Sequence, residues 1–285
     1  MTDHALAAPV APPRSVAARG ANLRGVYIIW YRDVLRFARD RGRLIVSFAQ
    51  PLLYLLIFGT GLSSSLRGAS GGFSGGLQYQ QFIYPGVIGM SVLFTAMFGA
   101  MSIVWDREFG FLKEVLVAPI SRAAVAVGKT LGGATQASIQ GLIMLALAPV
   151  VGVRLTVVNV LELIPMIFVL AFALSAVGVA LGARMRSLQG FQMVMNFLMM
   201  PMFFLSGALF PLSANLPAWM TVLTRLDPAA YGVDPLRRAV LGPAGDRLGL
   251  TLFGQTLAVW TEEALVLGFG LLMLAIAIRS FRQRD

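Results

Sequence analysis

Long apolar runs alternate with short charged interruptions along this chain of 285 residues, and their lengths predict membrane-crossing helices. Leu44 to Leu62 holds 19 residues without a charge, close to the ~20 that cross a hydrocarbon core. Phe82 to Val104 is a second span. A third lies within Val125 to Val153, at about 126–150, and carries Thr130, Thr135, Gln136, Ser138 and Gln140. Those polar groups need partners inside a bundle or water. Leu161 to Ala183, Leu188 to Phe210 and Leu257 to Ile278 complete six spans. The fourth carries Gly178-x-x-x-Gly182 with Ala171 and Ser175 on a similar stripe, which lets another helix approach closely.

The segments between the spans have patterns of their own. Residues 1–21, rich in Ala and Pro, read as a disordered tail with no secretory signal. Over Asn22 to Arg43, apolar residues at Leu23, Val26, Tyr27, Trp30, Val34 and Phe37 face a basic remainder, the pattern of an amphipathic helix lying in the membrane interface. Ser63 to Gln81, Gly- and Ser-rich, reads as a flexible loop. Between spans two and three, Trp105, Phe109, Leu112, Val115, Leu116 and Ile120 gather on one helical face, with Asp106, Arg107, Glu108, Lys113 and Glu114 on the other. That stretch reads as a contact surface, the alternative being a solvated turn. Leu212 to Gln255 is punctuated by Pro211, Pro217, Asp227-Pro228 and Asp234-Pro235 and predicts two short helices dipping partly into the bilayer. The expected fold is therefore an all-α polytopic membrane protein, with residues 44–285 forming one six-span domain.

Composition supports this class. The chain is 57% hydrophobic and 13% charged, with mean hydropathy +0.77, against about 25% charged in soluble domains. The net charge of +10 does not call for nucleic acid, because the cations flank the spans. Seventeen Lys and Arg fall on one side of the predicted topology and six on the other. The positive-inside rule then puts both termini, and the 105–122 stretch, in the cytoplasm of an inner (plasma) membrane.

Chemistry for catalysis is scarce. There are no cysteines, and the one histidine is His4 in the tail, so no metal site is expected. Gly128-Lys129-Thr130 lacks the earlier glycine of a phosphate loop, since position 123 is Ala123. Glu262 and Glu263 form the one carboxylate pair, at the start of the last span, either exposed at a helix start or part of an ion-pairing or substrate-contacting site. No catalytic residue is assigned. Energy from another polypeptide accounts for such a chain better than an ion-coupled carrier, which would place ionisable groups at mid-membrane and show internal repeats.

Three motifs in order, DREFGFLKEVLVAPISR, FLSGALFPLSANLPAWM and LDPAAYGVDPLRR, resemble the permease subunit of the type-2 export family of ATP-binding-cassette transporters, in the branch of daunorubicin-resistance and nodulation-factor exporters. The resemblance covers residues 22–280. It implies that Asp106, Arg107, Glu108, Phe109, Gly110, Lys113, Glu114 and Arg122 contact a cytoplasmic ATPase subunit, which the Asn22–Arg43 helix also approaches. It further implies a pair of permeases, either two copies or a sister chain, alternating access to a pathway between them, with ATP and Mg held by the ATPase and no cofactor in this chain. Ser213 to Leu241 matches two short outer helices.

The fifth span suggests the cargo. Met193, Met195, Met199, Met200 and Met202 cluster with Phe203 and Phe204, and thioethers adapt to irregular apolar shapes. Gln192, Met195, Asn196, Met199 and Met202 are the subset expected to line one pathway, with Asn196 the best pointer; pure helix packing is the alternative. An amphipathic or hydrophobic substrate, such as a drug, lipid or lipid-linked glycan, fits that surface.

Overall fold

The computed structural model describes residues 16–70, 78–109, 121–212, 216–246, 248–252 and 255–282. Its helices are α1 (Val16–Arg39), α2 (Arg41–Ser70), α3 (Tyr79–Gly99), α4 (Met101–Glu108), α5 (Arg122–Ala146), α6 (Val157–Gly182), α7 (Leu188–Leu205), α8 (Ala218–Leu226), α9 (Pro228–Leu241), α10 (Pro243–Asp246) and α11 (Val259–Arg282). A 3-10 turn, Ala148–Val151, follows α5, and a small antiparallel pair, β1 (Thr251–Leu252) with β2 (Gln255–Thr256), precedes α11. The architecture is all-α apart from that pair.

Two helices form the middle. Nearly every residue of α3 from Phe82 to Met97 is buried, and so is every residue of α6 from Leu170 to Ala180. A helix apolar on all sides must be surrounded. α5 packs against both, α11 against α6, α1 against α5 and α2 against α3, while α9 inserts between α3, α6 and α11. Small residues set the spacing. A Cβ on Gly178 or Gly182 of α6 would lie 3.0 Å from the Met97 carbonyl or 3.2 Å from that of Ala100, so the predicted small-residue stripe is where α3 lies against α6. At Gly86 a Cβ would come within 2.4 Å of the Ala208 carbonyl.

Helix ends are satisfied from the sequence. Ser121, Thr156, Ser187 and Asp227 cap α5, α6, α7 and α9, each side-chain oxygen taking an orphan backbone N–H. The Tyr84 hydroxyl reaches the carbonyls of Met144 and Leu145 at 2.9 Å each, serving the last turn of α5.

Among the described residues, four runs are long and apolar enough to cross a membrane: Tyr79–Glu108, Val157–Gly182, Leu188–Leu205 and Val259–Phe281. The first and third of the six expected spans, in α2 and α5, do not stand out in this way. Ser47–Gly61 is the apolar part of α2, and some polar residues of α5 are matched by neighbours, although Thr130 Oγ1 and Gln136 Oε1 are buried without a hydrogen bond. Trp30 Nε1 donates to Thr135 Oγ1 (2.9 Å), and Gln140 Nε2 donates to the Ser47 carbonyl (3.2 Å).

Some predicted boundaries move. Helix α1 begins at Val16 rather than Asn22, and α2 continues through Ser70, into the stretch expected to be a loop. Residues 1–15 of the expected tail and 71–77 of the expected loop lie outside the described residues. Helix α1 also does more than lie on a surface. Asn22 meets Ser121, Ile29 meets Gly128 and Asp33 meets Gly132, so α1 runs alongside α5 in the same direction. It buries Ile29, Asp33 and Phe37 there, and exposes Leu23, Tyr27, Ile28 and Tyr31 on its other face.

Candidate functional site

The helix ends that carry most of the cations converge on α4, and the convergence is ionic. Lys129 of α5 is buried, with Nζ 3.2 Å from Asp33 Oδ2 of α1 and 3.0 Å from Asp106 Oδ2 of α4. It also donates to Ser102 Oγ at 3.0 Å. Arg32 adds a more exposed contact to Asp106 at 3.1 Å. Gly128 and Gly132 flank the lysine and bring α1 close: a Cβ on Gly132 would stand 3.1 Å from that of Asp33. Four charges of zero net sum thus tie α1, α4 and α5 together. Such a buried cluster is stable only when each charge has partners, and here no buried charged atom of Asp33, Asp106 or Lys129 lacks a hydrogen bond.

From α4 the contacts spread to the remaining helices at this basic end. Arg107 donates to the carbonyls of Ala183 (3.0 Å) and Met185 (2.5 Å), just beyond α6. Glu108 Oε2 accepts from Leu188 N, the first residue of α7, at 3.1 Å, where a carboxylate suits the helix dipole. Across the undescribed stretch 110–120, Asn22 Oδ1 accepts from Ser121 N (2.8 Å), and Arg122 donates to the Phe281 carbonyl of α11 (3.3 Å). Helices α1, α5, α7 and α11 each have a residue in this hub, the chain just beyond α6 joins it, and α3 runs directly into α4.

The predicted contact residues are therefore placed differently from the simple amphipathic reading. Gly110, Lys113 and Glu114 lie outside the described residues. Asp106, expected on an outward polar face, is 6% exposed, because Lys129 gives its carboxylate a partner inside. Arg107 and Glu108 hydrogen-bond neighbouring helix ends, with Glu108 still exposed to solvent. The open surface is aromatic: Phe109 is 62% exposed, with its ring centroid 5.5 Å from that of Trp105. Arg122 is half-buried.

The fifth-span subset divides in two. Met195, Met199 and Met202 are buried against the bundle, while Gln192 and Asn196 are exposed beside Met193, Phe197 and Met200. The five do not line one surface. At about 100° per residue, 195, 199 and 202 occupy one part of a wide stripe and 192 and 196 its edge, and α3, α4 and α9 cover only the first part.

Sequence reasoning missed the depth of Lys129, which charge counting assigns to a loop. Its mid-helix setting also rules out a phosphate cradle at Gly128-Lys129-Thr130, because helical N–H groups there are taken by carbonyls four residues back. The one usable signal was an Asp in an otherwise basic α1 and a Lys among glycines in α5.

A second ion cluster sits at the opposite end, on α9. Arg238 donates to Asp234 Oδ2 (2.6 Å), to Glu262 Oε1 of α11 (3.1 Å) and to the Leu257 carbonyl (2.5 Å). Leu250 N also donates to Asp234 Oδ2, at 3.0 Å. Arg237 is fully enclosed: its guanidinium carbon is 4.7 Å from the Phe82 ring centroid, and it donates to the Gly207 carbonyl. Burial lowers the Arg237 pKa and the nearby Asp234 opposes that shift. Glu262, at 0% exposure, is ion-paired rather than lying open at a helix start. Glu263 is half-buried, with Oε1 lacking a hydrogen bond.

Apolar membrane-length helices around a central α3–α6 pair, tied by an ionic hub beside α4, define a polytopic membrane protein. Its sequence matches the ABC-2 type transporter family over residues 24–241, and the chain belongs to that family. It is similar to the inner membrane transport permease YadH of Escherichia coli K12, 27% identical over 216 residues, covering 75% of this chain and 82% of YadH. Nodulation protein J of Rhizobium meliloti is 26% identical over 238 residues, 82% of this chain and 88% of that protein. Nodulation protein J of Rhizobium leguminosarum bv. viciae is 26% identical over 217 residues, 75% and 81% respectively.

Proposed function

We infer that this chain is the membrane permease of an ATP-driven exporter whose ATP and Mg are bound by a separate cytoplasmic ATPase subunit. The observation that carries the reading is the hub. Residues 110–120 are bracketed by α4 and α5, and both brackets are tied by ion pairs and hydrogen bonds to α1, α6, α7 and α11. Force passed by an ATPase to these brackets reaches several helices through those contacts. Orientation follows the positive-inside rule, with the basic end and both termini in the cytoplasm. The exposed Trp105 and Phe109 are the described part of the docking surface, to which Gly110, Lys113 and Glu114, outside the described residues, belong by sequence motif.

A pair of permeases fits the exposed faces. Gln192, Met193, Asn196 and Phe197 of α7, and Leu53, Leu56 and Ile57 of α2, are exposed apolar or amide side chains, suited to a second permease or to lipid. Gln192 and Asn196 are the pathway candidates that remain accessible, while Met195, Met199 and Met202 hold their helix in place. The cargo reading is an amphipathic or hydrophobic compound, supported by a hollow of about 450 Å³ between α1, α2 and α3 walled by Phe37, Gln50, Met90, Phe94 and Phe98.

The test is reconstitution of the chain with its ATPase in proteoliposomes. ATP-dependent movement of amphipathic probes, but not of a polar oligosaccharide, is expected. Transport driven by a proton or sodium gradient without ATP would overturn the reading.

A further inference from the structure

A groove of about 590 Å³ runs between α6, α7 and α11 and ends at the α8–α9 junction. Its walls are apolar: Val177, Leu198, Met202, Leu226, Phe269 and Met273 are representative. At the junction stands Asp227, 5% exposed. Its Oδ1 accepts from Ala229 N at 2.9 Å and caps α9, whereas Oδ2 is buried without a hydrogen-bond partner. The cap explains one oxygen of this carboxyl and leaves the other enclosed without a partner at the end of the groove.

A drug-sized hollow with apolar walls and one oriented polar group has the anatomy of a ligand site. A carboxylate in such surroundings costs free energy unless it is protonated or paired with a cation. We propose that this groove binds a hydrophobic cation, its apolar body along α6, α7 and α11 and its positive centre at the α8–α9 junction beside the Asp227 carboxyl. An anion finds no support there, because the lone oxygen at the junction repels it and Arg184, the other charged wall residue, already donates to Ser280 Oγ at 3.1 Å.

Protons compete for the same oxygen. Burial raises the Asp227 pKa to about 8, against the lowering effect of the Ala229 hydrogen bond. The ionisable groups near it are Arg225 on α8, which donates to the Thr251 carbonyl (3.2 Å), and Tyr231 on α9, whose hydroxyl donates to the Arg225 carbonyl (2.8 Å). Arg184 adds a charge beyond α6, and the α7 and α11 walls contribute no ionisable residue to the groove. Cation affinity therefore rises with pH and levels off above about pH 8.

This deepens the export reading by naming a ligand class, and rests on it only for the fate of the bound cation. The test uses the full chain in zwitterionic nanodiscs without nucleotide, so a failure here is distinct from a failure of ATP-driven transport. Equilibrium dialysis measures tetraphenylphosphonium, permanently charged, against neutral triphenylphosphine oxide. Tetraphenylphosphonium affinity is expected to rise about tenfold from pH 6 to pH 7, while that of the oxide does not rise. Asp227→Asn, which keeps the cap, should weaken the cation about tenfold and abolish its pH dependence. Leu198→Trp, which fills the groove, should displace both probes. Equal cation binding by the Asp227→Asn variant would overturn the proposal. So would a pH-independent affinity, or failure of the wild-type chain to take up the cation at pH 8.5 because lipid or a second copy fills the groove.

Discussion

The two ion clusters hold similar charges in different ways. At the basic end, Lys129 joins Asp33 and Asp106 from helices 96 and 23 residues away in sequence, and leaves none of their buried charged atoms without a hydrogen bond. At the opposite end, Asp234, Arg237 and Arg238 lie within one helix, and only Glu262 comes from another. There Asp234 Oδ1, Arg237 Nε and Nη1, Arg238 Nε and Glu262 Oε2 are buried without hydrogen bonds. Incompletely satisfied polar networks are costly in one arrangement and open to another. On the proposed function, the contrast suits the hub to transmission and leaves the α9 cluster as the less fully paired of the two.

Lys129→Met breaks the comparison hardest. It leaves Asp33 and Asp106 buried with only the exposed Arg32 nearby, and should cost about 3–5 kcal/mol, read as a large drop in thermal stability and loss of ATPase co-purification. Glu262→Gln should cost less, about 1–3 kcal/mol, since Arg238 keeps Asp234 at 2.6 Å and Glu262 Oε2 already lacks a partner. Transport should change there without loss of assembly. A Glu262→Gln variant as unstable as Lys129→Met would erase the distinction between the clusters. The smallest effect is expected outside both. Asn196→Ala, on an exposed face, should shift stability by less than about 0.5 kcal/mol, while changing permease pairing by cysteine cross-linking or the range of exported compounds.

Local pattern carried the fold further than the site. The apolar runs, the two short helices after Pro211 and the Gly178/Gly182 stripe were legible because each depends on residues a few positions apart. The hub was not, because Asp33, Asp106 and Lys129 become neighbours only when α1, α4 and α5 pack together. Periodicity put Asp106 on a polar outward face, a sound inference for an isolated helix that fails when a buried lysine stands opposite. For Glu262 the sequence left an exposed helix start and an ion pair both open, because its partner Arg238 is on another helix. On α7, the stripe of Met195, Met199, Met202, Gln192 and Asn196 was legible, but how much of it the bundle would cover was not.

The central claim is that an ATPase engages the α4–α5 bracket, and the cysteine-free sequence allows a direct measurement. Phe109 is exposed and caps α4 through its backbone alone, so Phe109→Cys probes docking without disturbing the side-chain contacts of Asp106, Arg107 or Glu108. With single cysteines along the ATPase surface, the account predicts disulfide cross-linking to that subunit, with a yield that changes on adding ATP and disappears in Lys129→Met. A stable permease–ATPase complex in which position 109 never cross-links, while positions at the α9 end do, would contradict it.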